Sequence, residues 1–313
     1  MDEPVNKFSL NKRYLVLVLV LAVGLYVLVP QFGDFKSSLH LLRHPDVGWL
    51  LTAVALTALT YLAAAATYCL LAFKPLSYFR TLLVQFAAMF INRLLPGGLG
   101  ALGANYLYLK HSKHTSAQAA SVVAVNNVLG IMGHALLLLV SILLFSSPNL
   151  PTALHGRFGG ATVLYVAAGA LIVAIAGFVF GKQKFIEAIN EFGAQLWTYR
   201  HRPGRLLAAL ASSALLTLFN VLALSCCALA LGVHLPFVTI LLIFSLGVGA
   251  GTATPTPGGL GGFEAGLAAG FIGYGVGGSS ALAVALLYRL VSYWLALAAG
   301  ALAFFITQRR GYI

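Results

Sequence analysis

Charged side chains are scarce in this sequence. Asp, Glu, Lys and Arg make up 8% of the 313 residues, whereas a soluble domain carries about 25%. Hydrophobic residues reach 60%, and the mean hydropathy is +0.93. No polar stretch is long enough to build the core of a separate soluble domain. The composition therefore predicts an all-α, polytopic membrane protein.

Acidic residues, cysteines and catalytic motifs are also few or absent. Of seven Asp and Glu residues, only Glu264 lies in an apolar segment. A single carboxylate in the membrane does not favour a hydrolase. There is no HExxH motif, no GxSxG elbow and no P-loop. The three cysteines, Cys69, Cys226 and Cys227, lie in apolar runs and indicate buried thiols. We therefore expect no enzyme activity, no metal or cofactor, and no ATP-driven transport without a partner.

Long apolar runs dominate what is present. A helix that crosses a bilayer needs about 20 apolar residues. Six segments meet that requirement and are predicted as full spans: 14–30, 47–73, 117–145, 158–181, 205–231 and 281–307. Two further apolar regions, 76–109 and 236–276, are each too long for one membrane-spanning helix and too short for two full spans.

A near-duplicate motif interrupts both of these regions. It consists of Pro96, Gly97 and Gly98 in the first region and of Pro257, Gly258 and Gly259 in the second. Irregular backbone survives at membrane depth only where protein or a water-filled cavity surrounds it. Paired Gly/Pro interruptions in two halves point to a transporter-like binding site. We therefore predict two re-entrant helical hairpins that turn at these motifs.

The basic residues predict an orientation, because they cluster at the ends of the apolar runs. If the N-terminus is cytoplasmic and each hairpin returns to the side it enters from, most Lys and Arg residues are cytoplasmic. The net charge of +12 then reflects topology and anionic lipid rather than nucleic-acid binding. The halves 1–157 and 158–313 repeat one element order from opposite faces, which predicts an inverted-topology repeat. We expect a multi-pass protein of the cell inner (cytoplasmic) membrane with both termini cytoplasmic.

Three charged residues in apolar segments are the centre of the predicted site, because an intramembrane charge is by default functional and paired. Glu264 stands early in a half-helix, where the helix dipole favours a carboxylate, and Arg289 is its expected partner. A pair that only fixes the second hairpin is the alternative. Arg93 either snorkels to the cytoplasmic interface or faces a cavity and pairs with a phosphate. The candidate substrate-binding residues are Asn92, Arg93, Pro96, Gly97, Gly98, Pro257, Gly258, Gly259, Glu264, Tyr288 and Arg289.

Other polar groups extend this region. Two arginines against one glutamate leave a net positive charge, and the half-helix N-termini add unpaired N–H donors. Together these suit an anionic group, most simply a lipid phosphate. Four polar residues of the spans are explained by interhelical hydrogen bonds at least as well as by ligand contact: Asn126, Asn127, His134 and Asn220.

At three segments, FINRLLPGGLG, TPTPGGLGGFEAGL and LLYRLVSYW, the chain resembles the transmembrane region of lysylphosphatidylglycerol synthase, a flippase-like membrane family. The resemblance covers nearly the whole chain. It implies translocation of a lipid such as aminoacylated phosphatidylglycerol across the cytoplasmic membrane. Lipid synthesis is not implied, because the soluble aminoacyl-transferase domain of the full synthase is absent.

We therefore expect a lipid flippase for an anionic or aminoacylated phospholipid, or for a polyprenyl-phosphate lipid. Membrane lipids are its expected partners, and a homodimer is compatible with the sequence. A secondary transporter of a small organic anion is an alternative, which needs a closed, water-lined pocket. A non-transporting accessory to a glycolipid enzyme is another, which needs a tightly packed midplane without a cavity.

Overall fold

The computed structural model describes residues 38, 40–95, 99–145, 197, 199–200, 202–254 and 256–313. Within these residues the chain forms eight helices and no strand: α1 (Val47–Leu71), α2 (Tyr78–Leu94), α3 (Leu99–His111), α4 (Ser116–Phe145), α5 (Pro203–Ala230), α6 (Phe237–Ala253), α7 (Gly262–Gly273) and α8 (Gly278–Arg309). A 3₁₀ turn, Pro257–Gly259, joins α6 to α7, and α8 contains a π-helical turn at Leu290–Leu295. The predicted all-α class is confirmed.

Four of the helices are long and apolar enough to cross a membrane: Val47–Leu71, Ser116–Ser141, Pro203–Ala230 and Gly278–Arg309. They coincide with four of the six predicted spans. The other two predicted spans, 14–30 and 158–181, lie outside the described residues. The total of six spans therefore stays a prediction.

Helices α6 and α7 form an antiparallel hairpin across the second Pro-Gly-Gly motif. Gly270, late in α7, lies against Ile243, early in α6, whereas Gly262 at the start of α7 lies against Thr254 just after α6. The turn depends on glycine, because Gly258 and Gly259 adopt φ values of +62° and +66°, which side chains with a Cβ rarely tolerate. The second interrupted region therefore folds as the hairpin that the motif predicts.

Helices α2 and α3 form the corresponding hairpin in the first interrupted region. The Gln85 Nε2 group donates to Asn105 Oδ1 over 2.8 Å, and the backbone N–H of Ala101 donates to Asn92 Oδ1 over 3.3 Å. The Gln85–Asn105 pair is more widely separated in sequence than the Asn92–Ala101 pair and lies nearer the open end of the hairpin. This order of contacts is the one that two antiparallel helices produce. The turn itself, Pro96, Gly97 and Gly98, lies outside the described residues.

The two hairpins open at opposite ends of the helical bundle. The first opens beside the end of α1, where the Lys74 N–H donates to His114 Nε2 over 3.2 Å. The second opens beside the start of α1, where the Asp46 N–H donates to the Ala230 carbonyl over 2.9 Å. The 25 residues of α1 separate these ends by about 37 Å. This geometry agrees with an inverted repeat, but re-entrance into a membrane and the halves 1–157 and 158–313 stay predictions.

The closed tips of the two hairpins meet at the middle of α8. The Arg93 Nη2 group, at the tip of the first hairpin, donates to the Ser292 carbonyl over 2.5 Å. Gly258, at the tip of the second, lies so close to the Tyr293 ring that a Cβ there would clash with it. Two segments far apart in sequence are thus joined through one turn of α8.

The close approach of α6 and α7 predicts that Gly266→Ala lowers stability. An added Cβ would lie 2.8 Å from the Ala250 Cβ and 2.9 Å from the Leu246 carbonyl oxygen, and overpacking of this kind costs about 1–3 kcal/mol. The control is Gly249→Ala, because a Cβ there meets nothing within 4 Å. Thermal unfolding in detergent should show a lower Tm for Gly266→Ala and an unchanged or higher Tm for the control. Equal Tm values for the two variants would contradict the hairpin geometry.

Candidate functional site

Glu264 and Arg289 form a buried ion pair beside the second Pro-Gly-Gly turn. The Arg289 Nε group donates to Glu264 Oε1 over 2.6 Å, and the two side chains are 9% and 12% exposed. The other carboxylate oxygen accepts the backbone N–H of Gly261 over 2.8 Å, which caps the start of α7. The expected partnership of Glu264 with Arg289 is therefore confirmed.

The same arginine holds the turn that precedes α7. The Arg289 Nη2 group donates to the carbonyl oxygens of Gly258 and Gly259 over 3.0 and 3.3 Å. Its guanidinium carbon also lies 4.4 Å from the centre of the Phe263 ring. Because the protein supplies several acceptors and a counter-charge, this geometry favours a structural role for the pair.

Arg93 has a different environment, because no carboxylate faces it among the described residues. It is 7% exposed, and Nη2 donates to the Ser292 carbonyl and, over 3.4 Å, to the Tyr61 hydroxyl oxygen. Its Nη1 group is buried and bonds to no described residue. This placement disfavours snorkelling to an interface and leaves a buried cation with a donor group, Nη1, that no described residue accepts.

Tyr293 connects the two arginines. The guanidinium carbons of Arg93 and Arg289 lie 5.1 and 5.0 Å from the centre of its ring, which is cation–π distance. Its hydroxyl also donates to the Arg93 carbonyl over 3.4 Å. Tyr293 lies in the π-helical turn of α8, and such turns often mark functional sites. We call Arg93, Tyr293, Arg289 and Glu264 the tip cluster.

A cavity of about 580 Å³ lies next to this cluster and is lined by residues of α1 to α6. Six of its lining residues are amides: Gln85, Asn92, Asn105, Asn126, Asn127 and Asn220. Its other polar lining residues are Thr67, Tyr68, His134, Ser213 and Thr217. None of the described lining residues is Asp, Glu, Lys or Arg. Most of the cavity wall is apolar, and the polar groups set into it among the described residues are uncharged.

Hydrogen bonds orient several of these polar groups. His134 Nε2 lies 2.9 Å from the Ser245 hydroxyl oxygen, and Tyr288 donates to Asn220 Oδ1 over 3.2 Å. The predicted interhelical hydrogen bonds are thus present for His134 and Asn220. Asn127, in contrast, donates within its own helix, to the Val123 carbonyl over 3.0 Å. An amide has two donor hydrogens and a carbonyl acceptor, so these side chains keep groups that a ligand can use.

The structure distributes the predicted site residues over two adjoining places. Asn92 lines the cavity, and Tyr288 is buried behind it against Asn220. The remaining described candidates belong to the tip cluster or to the turn that it holds: Arg93, Pro257, Gly258, Gly259, Glu264 and Arg289. The other three candidates, at 96–98, lie outside the described residues.

Sequence reasoning missed Gln85, Asn105 and Tyr293. A signal was available for the first, because Gln85 and Asn92 are seven residues apart and therefore share a face of α2. Tyr293 stands four residues after Arg289, which also places both on one face. Neither spacing distinguishes a cavity wall from a packed helix contact until the facing helices are known.

Comparison with known proteins adds independent information. The chain matches the family described as Lysylphosphatidylglycerol synthase TM region over residues 15–300. It is similar to a UPF0104 membrane protein of Pyrococcus horikoshii, with 22% identity over 319 aligned positions that cover 91% of this chain and 94% of the relative. A UPF0104 membrane protein of Methanothermobacter thermautotrophicus is 36% identical over 74 residues, which cover 24% of this chain and 22% of the relative.

The ion pair predicts an asymmetric response to mutation. Glu264→Gln leaves the Arg289 charge buried and unmatched, and breaking a buried pair in this way costs about 3–5 kcal/mol. The double variant Glu264→Gln/Arg289→Met removes both charges and should recover part of that loss. Unfolding free energies in detergent measure both effects. A double variant that is less stable than Glu264→Gln would argue against the pair as the cause.

Proposed function

The chain belongs to the family of the lysylphosphatidylglycerol synthase TM region, and from that premise we propose that it is a lipid flippase. It moves the headgroup of an anionic or aminoacylated phospholipid, or of a polyprenyl-phosphate lipid, between leaflets, and the acyl chains stay in the bilayer. The observation that carries this proposal is the cavity of about 580 Å³, whose wall combines apolar side chains with a group of uncharged polar ones.

The dimensions and rim of the cavity support a headgroup as its occupant. Ligand pockets measure about 300–1,000 Å³, so this cavity suits a headgroup and not a whole lipid. On the α4 side its lining includes Asn127 and Gly130, which are exposed, and Ile131, which is 72% exposed. An apolar residue on an open rim gives lipid tails a surface on which to remain while the headgroup lies inside.

Arg93 is the residue to which we assign the lipid phosphate. Its Nη1 group lacks an acceptor among the described residues, and a buried charge without a counter-ion is costly. A phosphate beside it supplies both the acceptor and the charge. Arg289, already matched by Glu264, acts in this proposal by holding the turn of the second hairpin. Asn92, next to Arg93 in the chain, lines the cavity and connects the two places.

The two hairpins supply the machinery of alternating exposure. They open at opposite ends of the bundle and meet through Arg93, Gly258 and Tyr293. In inverted-repeat transporters one repeat moves against the other around a central site. We propose that the contact at Tyr293 separates and re-forms as the cavity faces first one leaflet and then the other.

The basic end of the molecule faces the cytoplasm in this proposal. At that end Lys74 donates to the Lys113 carbonyl, and Arg80 lies 5.4 Å from the centre of the Tyr312 ring. Asp46, in contrast, caps the start of α1 at the other end. The positive-inside rule supports a cytoplasmic C-terminus in an inner membrane.

Two other functions fit these observations less well. A transporter for a small organic anion needs a closed, water-lined pocket, whereas this cavity has an exposed rim at Gly130 and Ile131. A non-transporting accessory needs a tightly packed interior, which the cavity volume contradicts. A flippase accommodates both observations, because it needs a headgroup cavity and an opening through which the acyl chains stay in the bilayer.

Filling the cavity should stop translocation. Gly130 lines it, and an added Cβ meets nothing within 4 Å, so Gly130→Leu fits without backbone strain and occupies headgroup space. Gly103→Leu is the control, because Gly103 also lies in a helix with open space around it but does not line the cavity. In proteoliposomes that report leaflet exposure of labelled phospholipid, we expect Gly130→Leu to lower the rate about 10-fold, or about 1.4 kcal/mol. Equal rates for both variants would contradict the use of this cavity.

Arg93 should show opposite effects on stability and transport. Arg93→Met removes a buried cation that lacks a counter-ion, so the Tm in detergent should stay level or rise. The phosphate loses its partner, so translocation in the same proteoliposomes should fall, and Arg93→Lys should retain part of it. A fall in both Tm and transport with Arg93→Met would indicate a purely structural residue.

A further inference from the structure

The polar side chains of the cavity wall indicate which class of headgroup the cavity can bind. Its described polar lining consists of amides, hydroxyls and one imidazole, with no formally charged Asp, Glu, Lys or Arg. We infer that the headgroup beyond the phosphate is uncharged and rich in hydroxyl groups, such as glycerol, a cyclitol or a sugar. This inference rests on the proposed flippase function and selects one headgroup class within it.

Amides are suited to hydroxyl groups because both partners donate and accept. An amide offers two donor hydrogens and a carbonyl oxygen, and a hydroxyl offers one donor and two lone pairs. Asn126 lines the cavity and makes no side-chain hydrogen bond to any described residue, so all of its groups are available. Gln85 commits only Nε2, to Asn105, which leaves its carbonyl oxygen for a ligand hydroxyl. An amide without a partner in an apolar surrounding is costly, and a hydroxylated ligand removes that cost.

The imidazole of the wall fits the same chemistry. The Ser245 hydroxyl donates to the Leu241 carbonyl over 2.7 Å, so its single hydrogen is committed. The contact of 2.9 Å with His134 therefore places the hydrogen on His134 Nε2. In the neutral imidazole the other ring nitrogen, Nδ1, is then an acceptor for a hydroxyl.

A cationic headgroup has no partner in this wall. The two acidic residues in the described part of the chain are Asp46, at one end of α1, and Glu264, whose carboxylate is bonded to Arg289 and Gly261. Neither lines the cavity. A lysyl or other aminoacyl headgroup would place an ammonium group there without a carboxylate, which is unfavourable in a partly dehydrated site. The wall therefore discriminates against aminoacylated lipid.

The test compares lipids that share acyl chains and phosphate but differ in headgroup. Proteoliposomes of the full chain are assayed with phosphatidylglycerol, phosphatidylinositol, phosphatidylserine and lysylphosphatidylglycerol at equal fractions. We expect the first two to cross at least about 10-fold faster than the last two, which corresponds to about 1.4 kcal/mol of discrimination. Lysylphosphatidylglycerol crossing as fast as phosphatidylglycerol would overturn this inference and leave the flippase proposal standing. Rates for all four lipids equal to those of protein-free vesicles would overturn the flippase proposal, and this inference with it.

A single carboxylate placed in the wall should weaken or remove the selectivity. Asn126→Asp gives an ammonium group a partner, so the rate ratio of lysylphosphatidylglycerol to phosphatidylglycerol should rise about 10-fold. Asn127→Asp is a second variant at the exposed rim of the same wall, to be used if the first does not fold. Gln118→Glu is the matched control, because it adds the same charge to the first turn of α4 at a half-buried residue that does not line the cavity. An unchanged ratio in a folded, transporting Asp variant, or an equal rise in the control, would overturn the inference.

Discussion

Satisfaction of polar groups within an apolar bundle is the constraint on which the second hairpin depends. A turn between two helices frees carbonyl and N–H groups that have no water to bond. Arg289 donates to the carbonyls of Gly258 and Gly259, Glu264 neutralises Arg289, and the second carboxylate oxygen caps Gly261. Each member of this set satisfies another, so the loss of one leaves the rest unmatched. The turn, the helix start and the position of α8 are therefore determined together.

The first hairpin has no carboxylate at the corresponding position. Gly103 stands where the second hairpin has Glu264, counted from each Pro-Gly-Gly motif. Arg93 consequently relies on the Ser292 carbonyl and the Tyr293 ring, and its Nη1 group bonds to no described residue. The arginine at the second tip is neutralised by Glu264, whereas no described carboxylate neutralises Arg93. We regard this asymmetry as the basis for assigning the phosphate to Arg93.

The scarcity of charge, which identifies the chain as a membrane protein, also limits the chemistry of its cavity. In the function we propose, recognition there depends on amides and hydroxyls, which bind without the desolvation cost that a buried charge carries. Such groups favour a neutral, hydroxylated headgroup over a cationic one. Family membership alone does not distinguish these headgroups, because discrimination resides in the side chains of the wall.

The helical class, the two interrupted regions and the pairing of Glu264 with Arg289 were predictable from local sequence features. These were predictable because apolar length and Gly/Pro interruptions are local signals, and because a single carboxylate in apolar sequence leaves a buried arginine only one partner. The meeting of the hairpin tips at Tyr293 and the cavity lined by Gln85 and Asn105 became apparent only in the folded structure. An amide in an apolar helix has the same local pattern whether it bonds a neighbouring helix or faces a ligand. Which of the two occurs depends on how six helices, distant in sequence, leave space between their faces.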